Sequence, residues 1–66
     1  MQIMLNGTAR ECAADTTVIQ LLEALGYAGK RVAVERNGEI VPKSQHTAAK
    51  LQDGDQVEIV VAVGGG

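Results

Sequence analysis

Sixty-six residues with a 45% hydrophobic content make one globular domain, near the lower size limit for a single core. A lone cysteine, Cys12, excludes an internal disulfide, and with the single histidine, His46, it offers too few ligands for a closed zinc site. Six scattered Lys/Arg against eight Asp/Glu leave a formal charge of −2, and with one aromatic, Tyr27, this argues against nucleic-acid binding.

The opening "QIMLNGTARECA" reads as a β-hairpin. Ile3 and Leu5 alternate with Gln2 and Met4, and Asn6-Gly7 suits a two-residue type I′ turn. The returning strand, about Thr8 to Ala13, is more polar and fits a sheet edge. Met1 leads straight into this apolar stretch without a basic n-region or long h-region, so no signal peptide is expected.

The period changes in "DTTVIQLLEALG". Val18, Leu21, Leu22 and Leu25 share one helical face, Thr17 and Gln20 fit a capping box, and Gly26 is placed to end the helix left-handed. A second hairpin follows, Val32 to Glu35 and Glu39 to Val41 around Asn37-Gly38, stopped by Pro42. "KSQHTAAKL" is too short and weakly patterned for a full helix, and a single turn started by Ser44 is expected. Asp53 to Asp55 mark a tight turn. The final strand, "QVEIVVAV", puts Val57, Ile59, Val61 and Val63 on one face.

The order is ββ-α-ββ, a short turn, then β, with a domain over 1–63 and a flexible glycine tail over 64–66. The helix must cover one face of a mixed sheet, since its apolar stripe has no other partner. The last strand, rich in β-branched residues, belongs in the middle, parallel to the first. This is an α+β arrangement of about five strands and one main helix, the β-grasp or ubiquitin-like fold. The longest apolar run, Ile59 to Val63, is too short to span a bilayer. A monomer in a reducing cytoplasm, away from membranes, is the expected setting.

Val60 and Ala62 fall on the face of the last strand turned away from the helix, beside Met4 of the first strand, and a group of apolar residues there suggests a docking surface. Directly downstream stand Gly64, Gly65 and Gly66. Glycine lets a backbone pass through a narrow channel. Three extended residues reach roughly 10 Å, and ordering them costs on the order of 1–2 kcal/mol each. A docked sheet can offset that cost and deliver a terminal carboxylate into another protein's active site. Carboxylate is a poor electrophile until adenylation gives it a leaving group, after which sulfur can displace AMP. The chain has no catalytic set for those steps, so it reads as a carrier or protein substrate. Cys12 reads as a small half-buried strand residue, and His46 as a solvated surface residue. Asp53 and Asp55 lack the other oxygen ligands of a calcium loop.

"MQIMLNG", "TVIQLLEALG", "VAVERNGEIVP" and above all "LQDGDQVEIVVAVGGG" together resemble the ThiS family, the sulfur carriers of bacterial thiamine biosynthesis, over essentially the full length. The resemblance implies that the Gly66 carboxylate is adenylated by a partner of the ubiquitin-activating type (ThiF-like), using ATP and magnesium, and converted to a thiocarboxylate. Thiazole synthase (ThiG-like) then takes that sulfur for the thiazole ring. Gly65-Gly66 is the required pair, and Gly64 is one glycine more. The small subunit of molybdopterin synthase shares the fold and the Gly-Gly end but tends to be longer, with proline and aromatic residues before its tail. Other readings are a ubiquitin-like modifier, or an interaction domain that binds through its sheet alone.

Overall fold

Both Asn-Gly pairs turn the chain as their chemistry dictates. Asn6 and Gly7 have φ of +48° and +82°, and Asn37 and Gly38 have +52° and +86°. Two consecutive left-handed residues make the turn whose twist matches antiparallel strands, and Asn and Gly tolerate that region best. The structure, a computed structural model, describes residues 1–62. Val63 and the three glycines therefore lie outside the described residues.

The first turn joins β1 (Gln2–Leu5) to β2 (Thr8–Glu11), and the second joins β3 (Val32–Arg36) to β4 (Glu39–Ile40). With β5 (Gln56–Val61) they form one sheet in the order β2-β1-β5-β3-β4. β5 is central, parallel to β1 and antiparallel to β3, and β2 lies at an edge. The β-grasp expectation holds. β2 ends at Glu11, two residues before the expected Ala13, and β4 ends at Ile40.

Helix α1 (Val18–Ala24) is closed by the expected capping box. The Gln20 amide donates to Thr17 Oγ1 at 3.3 Å, and the Thr17 amide donates to Gln20 Oε1 at 3.0 Å. Gly26, at φ +78°, follows its end. Val18, Leu21 and Leu22 are buried against Ile3, Val34, Val57 and Ile59, with Leu25 half-buried beside them. Leu51, from the segment that carried no clear pattern, completes this core.

That segment departs from expectation in two ways. Its 3₁₀ turn spans Lys43–Gln45 and is entered from Pro42, with no side-chain cap, so Ser44 sits inside the turn and does not start it. Proline's fixed φ supplies the entry that a hydroxyl would otherwise supply. His46 is no solvated residue: it is 5% exposed. The turn directs its ring inward, where Nε2 lies 3.0 Å from the Val41 carbonyl. A carbonyl only accepts, so Nε2 carries the proton. The His46 and Ala49 carbonyls accept from the Ile19 and Val18 amides, satisfying two of the donors that open α1.

β1 stops at Leu5, but the ladder on that side of β5 continues for one more step through a side chain. Asn6 Oδ1 accepts from the Ile59 amide at 2.8 Å, and Asn6 Nδ2 donates to the Ile59 carbonyl at 3.2 Å. Its amide group thus stands in for a residue of strand. Asn6→Ala removes both bonds and puts a Cβ-bearing residue of lower left-handed tolerance at φ +48°. We expect a loss of about 2 kcal/mol by urea denaturation, with the sheet order unchanged.

Candidate functional site

The end of β5 is where the docking expectation can be examined. Val57 and Ile59 point into the core, Val61 is half-buried, and Val60 and Ala62 face outward. Val60 is 63% exposed, although it sits on the central strand. Its cross-strand neighbour on β3 is Ala33, also exposed. The last described pairing is the Ala62 amide on the Arg31 carbonyl at 2.9 Å.

Met4 shares this outer side and is exposed, but it is not beside Val60. The parallel register sets Met4 opposite Gln56, four residues earlier on β5. Period-2 alternation fixes which face a side chain takes, whereas register fixes its neighbours, and only the face follows from the strand itself. The apolar group at the tail root is therefore Ala33, Val60 and Ala62. Between it and Met4 lie Glu35 and Glu58, directly opposite each other on β3 and β5. Like charges at paired positions disfavour a sheet by a few tenths of a kcal/mol, so fold stability alone does not account for this pair. Ile40, 62% exposed and paired with Glu35, is an outward apolar residue that the sequence reading did not single out.

Asp55 is the polar centre that sequence reasoning missed. It is 7% exposed, and its carboxylate accepts from Arg36 Nε at 2.7 Å, the Gln52 amide at 2.8 Å and Asn37 Nδ2 at 3.1 Å. Asn37 Oδ1 in turn accepts from the Gln56 amide at 2.9 Å. The β3–β4 turn is thereby locked to the start of β5. Burial works to raise the Asp55 carboxyl, but the Gln52 amide, the Asn37 amide and the Arg36 guanidinium outweigh it and hold the group below the ordinary aspartate range. Asp53 accepts from the Gln2 amide at 2.7 Å. Both acids of the Asp-Gly-Asp turn are thus committed to internal hydrogen bonds.

Cys12 is half-buried just beyond β2, with its amide donating to the Met1 carbonyl and its own carbonyl accepting from the Met1 amine, each at 2.8 Å. Among the described residues, no group of three His, Cys, Asp or Glu could hold a metal ion. No described helix is long and apolar enough to cross a membrane. Gly64, Gly65 and Gly66, the expected working end, lie outside the described residues, so the site is visible here only up to its root.

Comparison with known proteins bears on the whole chain. A family model described as the ThiS family matches residues 3–66. The sulfur carrier protein ThiS of Escherichia coli is 41% identical over 66 residues, covering all of both chains. A protein of Paramagnetospirillum magneticum named thiazole synthase is 48% identical over 66 residues, and the chain spans only 20% of its length. The crystal structure of the thiamine biosynthesis protein ThiS from Geobacter metallireducens superposes with a TM-score of 0.84 at 36% identity, with full coverage of both chains. With one full-length relative above two-fifths identity and the same five-strand, one-helix sheet in a solved member, the chain belongs to the ThiS family.

Proposed function

We propose that this chain is a sulfur carrier of thiamine biosynthesis, a protein substrate that partner enzymes act upon. The observation that carries the reading is the exposed apolar group of Ala33, Val60 and Ala62 at the described end of the central strand, which the sequence follows, after Val63, with three glycines. In this reading residues 1–63 are the domain and Gly64 to Gly66 a thin arm. A ubiquitin-activating-type partner uses ATP and magnesium to adenylate the Gly66 carboxylate, whose oxygen bonds to the α-phosphorus as pyrophosphate leaves. A sulfur nucleophile then forms a bond to that carbonyl carbon as AMP leaves, giving a thiocarboxylate. Thiazole synthase takes the sulfur for the thiazole moiety of thiamine. The ThiS region within a longer thiazole synthase supports that enzyme as a partner. The thiamine names of the relatives favour this pathway over molybdopterin synthesis. We take the compartment to be the cytoplasm, where an unpaired cysteine stays reduced.

Mass spectrometry of the C-terminal peptide tests the chemistry, after incubation with ATP, a sulfur source, the activating partner and magnesium. A sulfur-for-oxygen exchange confined to Gly66 is expected. The peptide is read in place of the intact mass because oxidation of Met1 or Met4 gives nominally the same mass change. An unmodified Gly66, under conditions that charge the E. coli carrier, would move the reading to an interaction domain.

Docking has its own test at Val60. Val60→Asp changes an outward residue, so stability should move by no more than about 1 kcal/mol. Affinity for the partner should fall about tenfold or more, because a charge must then be desolvated at the tail root. Unchanged affinity in calorimetry would remove Val60 from the interface.

A further inference from the structure

Beside the end of β5, the connection between α1 and β3 folds around a groove of ≈ 470 Å³. Its apolar wall is Ile19, Leu22, Tyr27 and Val32, and its outer lip is Val60 and Ala62. Lys30, Arg31 and Lys43 also line it, all three exposed, and no Asp or Glu does. Acids outnumber bases eight to six in the chain, yet three of the six bases gather here. Among the described residues the ion pairs are Arg36 with Asp55 and the Met1 amine with Glu11, and none of the three cations pairs with a described acid.

We propose that this groove receives an acidic segment carrying apolar side chains, presented by the partner that takes the tail. The inference rests on the carrier reading above. Residues 63–66 span at most roughly 14 Å when extended. A partner holding Gly66 in its active site must therefore bring its surface within that distance of Ala62, which is itself part of the groove's lip. Covering these three cations with a neutral or basic surface removes their water and returns nothing. Opposing carboxylates replace that hydration and steer the approach, while apolar side chains match the wall. The chain's own tail is a poorer occupant, because it offers one charge to three cations.

The experiment measures association rates by stopped flow against salt concentration, for the thiazole synthase and the adenylating enzyme of the genome that encodes this chain. The Lys30→Glu/Arg31→Glu/Lys43→Glu variant should associate at least tenfold more slowly with one or both at low salt. The wild-type rate should fall as salt rises, and the variant's should not. A Lys30→Ala/Arg31→Ala/Lys43→Ala variant should lie between them, which separates repulsion from misfolding. Equal rates for wild type and variants with both partners overturn the proposal. So do a wild-type chain that binds neither, and NMR shifts at Tyr27, Lys30 and Arg31 on removing residues 64–66 without any partner, which would mark the tail as occupant. Thiocarboxylate on Gly66 is read separately by mass, so a failure confined to the rates sinks the groove and leaves the carrier standing.

Discussion

Asp55→Ala should destabilise the fold by about 3 kcal/mol, because it removes a buried carboxylate together with its ion pair and two further hydrogen bonds. Arg36, Asn37 and the Gln52 amide would all lose their acceptor. A domain of this length holds roughly 3–10 kcal/mol in total, so the variant should sit close to its unfolding threshold. Thermal melting should fall by about 12–24 °C. The pH dependence carries the same signature. The Asp55 carboxyl titrates lower in the folded state than in the unfolded chain, so its stabilisation is complete above the unfolded value of about 4. It declines as pH falls below that value and is gone once pH drops through the folded value. Between those limits the wild type should gain stability with rising pH, and Asp55→Ala should lack that component of the slope. Equal acid sensitivity in the two proteins would show that the network contributes nothing.

Deleting Gly66 should reduce sulfur transfer about a hundredfold or more with no change in melting temperature. The deletion is informative because Gly64-Gly65 remains, so the chain keeps a glycine pair and loses only length. In the carrier reading the reacting carbon retreats by about 3.5 Å, and a misplacement of even 1 Å can cost two orders of magnitude. An interaction domain would bind its partner as before and show no such loss. Full activity in the shortened chain would mean that terminal reach is not the constraint.

What the sequence made legible was local. Asn6-Gly7, Asn37-Gly38 and the Thr17/Gln20 box each complete their chemistry within four residues, and each is found as expected. The position of β5 at the sheet centre also followed, from its β-branched content. Asp55 escaped because two of its partners lie 18 and 19 residues away. The one nearby signal was an Asp that could accept within its own turn. His46 escaped for a related reason, since polar neighbours in sequence say nothing about the direction of a single 3₁₀ turn. Met4 was assigned the right face and the wrong neighbour, as expected when alternation is visible and register is not. The glycines were legible by composition alone.

The parallel pairing of β1 with β5 has a mechanical consequence. The two strands run side by side in the same direction, so the start of β1 and the end of β5 lie at opposite ends of the ladder. A force drawing on the chain beyond Ala62 pulls β5 along its own length and loads its hydrogen bonds to β1 and β3 in shear, all at once. Peeling a strand from one end breaks such bonds in turn and needs far less force. In the carrier reading, a partner that draws the tail into a cleft therefore pulls against the stiffest direction of the sheet, and the body follows as one piece.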